Sequence, residues 1–279
     1  MLLLLVMLLL IFTFRLDLHS NEFQEVPMAL GKLSKLQKIN LGGNKISYVP
    51  QGFFDNFENL KSVVLKRNKL TSFPARMPRQ MVKIAIDQNG LTDLPDLRYL
   101  DQLHTLKAEA NKIDFIRFDA FPPKLNELSL CFNDLSRTNA QFNLKTLREL
   151  RRLTLTNSNP WLPGREHNLG KFYNGVSNKL RVLSVRGMQI ESFSDGFFDD
   201  FQRLEVLDIS NNSLTTFDSD WFRCNSKLFA ISLANNSWHC DCNFAMHLKA
   251  IKKAVEEKFT QKNKRPQDED SKRYALVNL

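Results

Sequence analysis

At 279 residues, 43% of them hydrophobic and 25% charged, the chain is long enough to bury a substantial core and is neither collagen-like nor compositionally disordered. Its four cysteines, Cys131, Cys224, Cys240 and Cys242, are too few and too irregularly spaced for a disulfide-stapled mini-protein. The net charge of +9 is moderate and uneven: nine Lys or Arg against five Asp or Glu lie between Lys249 and Arg273, so four of the nine excess charges sit there.

Residues 1–14, MLLLLVMLLLIFTF, are shorter than the ~20 apolar residues of a membrane span and match the apolar core of a signal peptide. They lack a basic leader and a small-x-small cleavage site. Secretory targeting is the expectation, with an uncleaved membrane anchor and a truncated or misassigned start as alternatives.

From Thr13 onward one pattern repeats, written L-x-x-L-x-L-x-x-N-x-L. After an incomplete copy at 13–23 come LQKINLGGNKI (36–46), LKSVVLKRNKL (60–70), MVKIAIDQNGL (81–91), LHTLKAEANKI (103–113) and LNELSLCFNDL (125–135). LRRLTLTNSNP (150–160), LRVLSVRGMQI (180–190), LEVLDISNNSL (204–214) and LFAISLANNSW (228–238) complete the series. The sixth-position residues are separated by 23, 24, 21, 22, 22, 25, 30, 24 and 24, so all but one interval falls in the ~20–29 range of a short strand-and-turn repeat.

Alternation sends positions 4 and 6 to one face of a short strand and positions 3, 5 and 7 to the other, so one face is core and the other surface. Asn stands at position 9 in eight of the ten copies (Asn21, Asn44, Asn68, Asn89, Asn111, Asn133, Asn212, Asn236). A carboxamide both donates and accepts, so stacked Asn residues are expected to satisfy backbone groups where the chain leaves the strand. One such coil cannot bury its own apolar face, and stability must come from stacking.

The repeats end in segments such as VPQGFFDNFENL (49–60) and FSDGFFDDFQRL (193–204), and on these the chain resembles the extracellular "typical" leucine-rich-repeat proteins over roughly residues 13–259. The resemblance implies an α/β solenoid, a leucine-rich-repeat horseshoe with a parallel concave β-sheet, an irregular convex side filled by residues such as Phe54 and Phe198, and a C-terminal capping helix. NSWHCDC (236–242) is similar to the N-P-W-x-C-D-C that opens the family's C-terminal cap, which closes through two further cysteines. No cysteine follows Cys242 in this chain, so the cap cysteines Cys240 and Cys242 lack those partners. Orphaned cap cysteines are favoured over a Cys224–Cys240 bond. A metal site from His239, Cys240, Asp241, Cys242 and His247 is disfavoured for want of a second paired motif.

Phe244, Leu248, Ile251, Val255 and Phe259 recur at helical spacing beside Lys249, Lys252, Lys253, Glu256 and Glu257, predicting a helix that covers the end of the solenoid. The organisation expected is therefore an apolar segment at 1–14, about ten repeats over 15–238, a partial cap with its helix over 239–259, and a solvated polar tail over 260–279.

No phosphate-binding glycine loop, metalloprotease helix, nucleophile elbow or calcium loop is present, so catalysis, metals and cofactors are not expected. Binding is expected instead. On the exposed, concave face of the sheet Lys38, Lys66, Arg67, Lys83 and Lys107 spread over four neighbouring strands, with Asp87 and Glu109 between them, suiting a protein ligand, an acidic protein or polysaccharide in particular. The alternative is a merely solvated face. Nucleic acid is disfavoured because aromatics do not alternate with these basic residues. A second candidate surface is the insertion at 159–175, where Trp161, Phe172 and Tyr173 either anchor a partner or pack on the convex side. Asn211 and Asn235 head two N-x-S sequons as candidate glycosylation acceptors, the second expected to be shielded by the cap. A secreted or cell-surface recognition protein is thus the leading reading, with a cytoplasmic adaptor regulating a partner enzyme as its rival.

Overall fold

A computed structural model describes residues 13–135, 146–158, 179–193, 195–239, 241–263 and 277–278. Among the described residues, eleven short strands form one parallel sheet in chain order. They are β1 (Arg15–Asp17), β2 (Lys38–Asn40), β3 (Ser62–Val64), β4 (Lys83–Ala85), β5 (Thr105–Lys107), β6 (Glu127–Ser129), β7 (Arg152–Thr154), β8 (Val182–Ser184), β9 (Val206–Asp208), β10 (Ala230–Ser232) and β11 (Val277–Asn278). The first ten occupy positions 3 to 5 of successive repeats and pair position to position, as in Leu106↔Leu128. Within the stretch expected to stay solvated, Val277 and Asn278 add β11 alongside β10.

The core is the predicted row of position-4 and position-6 side chains. Val63, Ile84, Leu106, Leu128, Leu153 and Leu183 are fully buried, as are Leu41, Leu65, Ile86, Leu130, Leu155 and Leu233. Only the first coil departs, with Leu16 and Leu18 half-buried, because no coil stacks before it among the described residues. Behind the strands, aromatic clusters fill the convex side. Phe53 packs edge-on against Phe54 at 4.9 Å, and Phe197 against Phe198 at 4.7 Å.

The position-9 asparagines form the expected ladder. In Asn133, Nδ2 donates to Leu130 O (2.8 Å) in its own coil and Ala108 O (2.9 Å) in the preceding one, while Oδ1 accepts Ile113 N–H (3.1 Å). Asn44, Asn68, Asn89, Asn111, Asn212 and Asn236 bond to the same places in their coils. In the two copies lacking Asn, the Ser158 hydroxyl keeps one bond to Leu130 O (2.8 Å), and Met188 contributes only its N–H, to Asn212 Oδ1 (2.9 Å).

Position 8, just before each ladder residue, carries a second rule that the pattern did not announce. All ten residues there (Ser20, Gly43, Arg67, Gln88, Ala110, Phe132, Asn157, Gly187, Asn211, Asn235) have left-handed backbone, φ from 49 to 66°. Each strand ends in one tight kink that presents the position-9 carboxamide inward. Only two of the ten are glycine, so the other eight accept a conformation that costs L residues about 1 kcal/mol.

The helix α1 (Cys242–Asn263) follows the last repeat, beginning at Cys242 and running past the apolar stripe that foretold it. Asp241 caps it, its Oδ1 accepting Phe244 N–H at 2.7 Å. Ile251 and Val255 are buried, and Phe244 and Leu248 pack against the core. Trp238, whose Nε1 donates to Leu233 O (3.0 Å), joins Phe217 and Phe244 in a ring cluster that ties the helix to the repeats.

Candidate binding face

The strands offer positions 3, 5 and 7 on the side away from the core, with position 8 at the margin, and the pairing register decides which residues become neighbours. Lys38, Ser62, Lys83 and Thr105 lie in one row across β2 to β5, and Asn40, Val64, Ala85 and Lys107 in the next. Lys38, Lys66 and Lys83 are exposed and make no ion pair or hydrogen bond through their side chains among the described residues. Arg67 is exposed too, but its Nε donates to Gln88 Oε1 at 2.6 Å. Lys107 differs from the expectation: it is half-buried and paired with Glu127 at 3.0 Å, since Glu127 lies on the next strand within reach of its ammonium. The exposed basic surface therefore spans β2 to β4. Arg15 and Lys61, not singled out from the sequence, are exposed at the same end; they occupy positions 3 and 2 of their copies and were visible in the alignment.

Toward the middle the face turns acidic and cross-linked. Asp87 Oδ1 accepts Glu109 N–H (3.0 Å), the Ser129 hydroxyl donates to Glu109 Oε1 (2.5 Å), and Ser129 and Thr154 share a 2.6 Å bond. Burial pushes the Asp87 carboxyl above its ordinary value, and the neighbouring Glu109 charge adds to the shift. At the first strand, Asp17 is held below its ordinary value, chiefly by the His19 N–H it accepts at 3.0 Å. Phe132, at position 8, is exposed by 54% on left-handed backbone. The leucine pattern is silent about this position, so a search for bulky residues there would have found it.

Beyond β7 the expectation of a uniformly open face fails. Val182, Val206, Phe229 and Ala230 are buried in a cluster of their own, separate from the core. Three of the four are position-3 residues, the row that presents Lys38 and Lys83 at the other end. Ala85, Ser129 and Cys131 are buried on this face as well, because small side chains between flanking strands are covered by larger neighbours.

The remaining candidates are placed as follows. Trp161, Phe172, Tyr173 and Cys240 lie outside the described residues, as do residues 1–12. Cys131 is buried and free, and Cys224 and Cys242 are exposed and free; Cys240, the partner weighed for Cys224, lies outside the described residues. Asn211 is exposed, and so is Asn235, against the expected shielding: it stands at the kink, which the cap helix does not cover. No helix among the described residues is long and apolar enough to cross a membrane.

The family model described as leucine rich repeat matches residues 14–70, 34–85 and 178–237. Osteomodulin of Rattus norvegicus is 26% identical over 212 residues, covering 75% of this chain and 43% of that protein. Leucine-rich repeat transmembrane protein FLRT2 of Rattus norvegicus is 28% identical over 223 residues, covering 77% and 29%. The chain thus spans less than half the length of either relative. Among solved structures, the functional domain of InlJ from Listeria monocytogenes has the same fold (TM-score 0.62, 19% identity, 80% of this chain and 44% of that one). The FLRT2 repeat domain, solved in an octameric complex with Latrophilin 3 and Unc5D, superposes with a TM-score of 0.56 at 25% identity, covering 95% of this chain and 68% of that one.

Proposed function

Because the chain is a leucine-rich-repeat protein of the extracellular type, we propose that it is a non-enzymatic scaffold that captures a protein ligand on the open face of its sheet. The observation that carries this reading is that Lys38 and Lys83, in one row on β2 and β4, and Lys66, at position 7 of the coil between them, are exposed and without side-chain partners among the described residues, with Arg67 beside Lys66. Three ammonium groups on three successive coils, with strands ~4.8 Å apart, attract an acidic surface and favour rapid encounter with it. The ligand class proposed is an acidic protein, with an acidic polysaccharide sharing the same chemistry. The exposed Phe132 ring is the apolar anchor at the margin of that face. FLRT2 was solved bound to protein partners, and the same mode of use is proposed here.

Reversing Lys66 and Arg67 to Glu tests the reading. Retention on an immobilised acidic polysaccharide should fall about tenfold and lose much of its salt dependence; unchanged retention would remove these residues from the site. Deleting residues 161–170 tests the insertion separately: binding that survives the deletion places the ligand on the strands.

A secreted or cell-surface location is proposed from the relatives, with Asn211 and Asn235 as exposed acceptors for N-linked glycans. One observation favours the cytoplasmic alternative, that Cys131, Cys224 and Cys242 are all free. Expression in secretory cells separates the two, since a glycan-shifted product in the medium supports the first and an unmodified cytosolic product the second.

A further inference from the structure

The leucine that opens each repeat is buried, so the residues just before and just after it turn away from the core, along the flank of the solenoid that leads into the strands. From β6 to β10 those leucines are Leu125, Leu150, Leu180, Leu204 and Leu228, none more than 2% exposed. Six of the ten residues beside them are Lys or Arg and two are Glu. Earlier in the chain the same places serve the fold instead: Asn59 Nδ2 donates to Ser34 O (3.1 Å) and Gln80 Nε2 to Phe57 O (2.8 Å).

Stacking turns this composition into a row. Arg181 N–H donates to Arg151 O (2.8 Å) and Phe229 N–H to Glu205 O (3.0 Å), so equal places on neighbouring coils lie side by side. Lys124, Arg151, Arg181, Arg203 and Lys227 put one exposed cation on each of five successive coils. Both glutamates are answered inside the row, Glu149 by Lys179 (2.5 Å) and Glu205 by Arg181 (3.2 Å). The bond from Lys179 holds the Glu149 carboxyl below its ordinary value, and the nearby Arg151 charge adds to the shift. Lys124 Nζ bonds the neutral Gln102 amide (3.2 Å), and Arg203 and Lys227 make no ion pair or hydrogen bond through their side chains among the described residues. Six cations against two acids leave four positive charges in excess.

We propose that this flank seats a sulfated polysaccharide laid across the coils, at a site separate from the basic residues of the concave face. With strands ~4.8 Å apart, the five coils set their cations along about 19 Å. That is a line rather than a disc, and it suits a chain that carries anions at intervals along its length. Sulfate esters stay ionised well below neutral pH and offer three oxygens each, to guanidinium groups that donate in pairs and ammonium groups that donate singly. A rigid acidic protein would have to match the line coil by coil, whereas a flexible chain adjusts to it. The bases of a nucleic acid would find no platform, since Phe229, the one aromatic among the ten residues, is 4% exposed. None of the ten is an exposed apolar residue that could enter a bilayer.

A long immobilised chain reaches both basic surfaces, so the test uses the full protein in solution with a short heparin oligosaccharide. Lysine acylation read by mass spectrometry should show Lys124 and Lys227 protected at lower oligosaccharide concentrations than Lys38, Lys66 and Lys83. Reversing Arg203 and Lys227 to Glu should weaken binding about tenfold and reduce its salt dependence. The reversal of Lys66 and Arg67 should weaken binding of the same short probe by less than about twofold. All four side chains are exposed, so an unchanged melting temperature confirms that each variant is folded. Protection confined to Lys38, Lys66 and Lys83 overturns the flank site while leaving the concave-face reading in place. The absence of binding overturns it too, as does equal protection of Lys124 and Lys227 by polyglutamate, which would give the flank to an acidic protein.

Discussion

The two halves of the sheet use the same repeat position for opposite ends. Position 3 carries exposed Lys38 and Lys83 on β2 and β4, but buried Val182, Val206 and Ala230 on β8, β9 and β10. The convex side follows suit. Toward the N-terminus, among the described residues, its aromatics cluster at Phe53, Phe54 and Phe57, and Phe118 meets Phe121. Toward the C-terminus Phe193, Phe197, Phe198, Phe201, Phe217, Trp221, Phe222, Trp238 and Phe244 touch in one continuous run that reaches α1. One half of the solenoid is built to be closed and the other to stay accessible, although the backbone geometry is the same in both.

That contrast can be broken at several points. Phe198 is 1% exposed at the centre of the aromatic run, so Phe198→Ala should cost about 4 kcal/mol in urea unfolding. Leu18→Ala, on the half-buried first coil, should cost about 1–2 kcal/mol, and equal costs would deny any difference between the ends. At position 3, Val206→Lys puts an unpartnered charge where 6% of the surface is exposed and should cost about 3 kcal/mol, whereas Lys83→Glu should change stability by under about 0.5 kcal/mol. The reversal of Lys66 and Arg67 already described is next in size, and it should act on binding while leaving the melting temperature alone.

The smallest effect belongs to Asp87. Its carboxyl is pushed up by burial, so the folded state holds its proton more tightly than the unfolded chain and is penalised once that proton is lost. Asp87→Asn retains an acceptor for Glu109 N–H and removes the charge. It should make no difference near pH 3, where both states are protonated, and should stabilise by up to about 1 kcal/mol as pH rises to neutrality. A variant that loses stability at pH 7 would show that the Asp87 charge helps the fold.

Much of this architecture could be read directly from the residues, because it is dictated by spacing. Leucines two apart share a face, asparagines one repeat apart stack, and Phe244, Leu248, Ile251 and Val255 recur at helical intervals; each became the contact expected. The face was harder to read because it depends on relations between coils. Lys107 looks free within its own repeat, and only the adjacency of β5 and β6 brings Glu127 to it. Val182 and Val206 look like tolerated surface valines until Phe229 and Ala230 are set beside them. The two N-x-S sequons show the reverse case, since Asn at position 8 suits the left-handed kink and Asn at position 9 the ladder, so backbone geometry alone accounts for both asparagines.

The asparagine ladder has a mechanical side. Every full rung clamps its own coil to the one before it, so a coil loosens only by tearing a bond from its neighbour, and motion should enter from the ends. The rungs at Ser158 and Met188 are incomplete, and they are consecutive. Under tension or in hydrogen exchange, the rod should therefore behave as two stiff segments meeting at a softer joint around β7, whose rungs to the β6 coil and from the β8 coil are the incomplete ones, with the β7 amides trading protons sooner than those of the strands on either side.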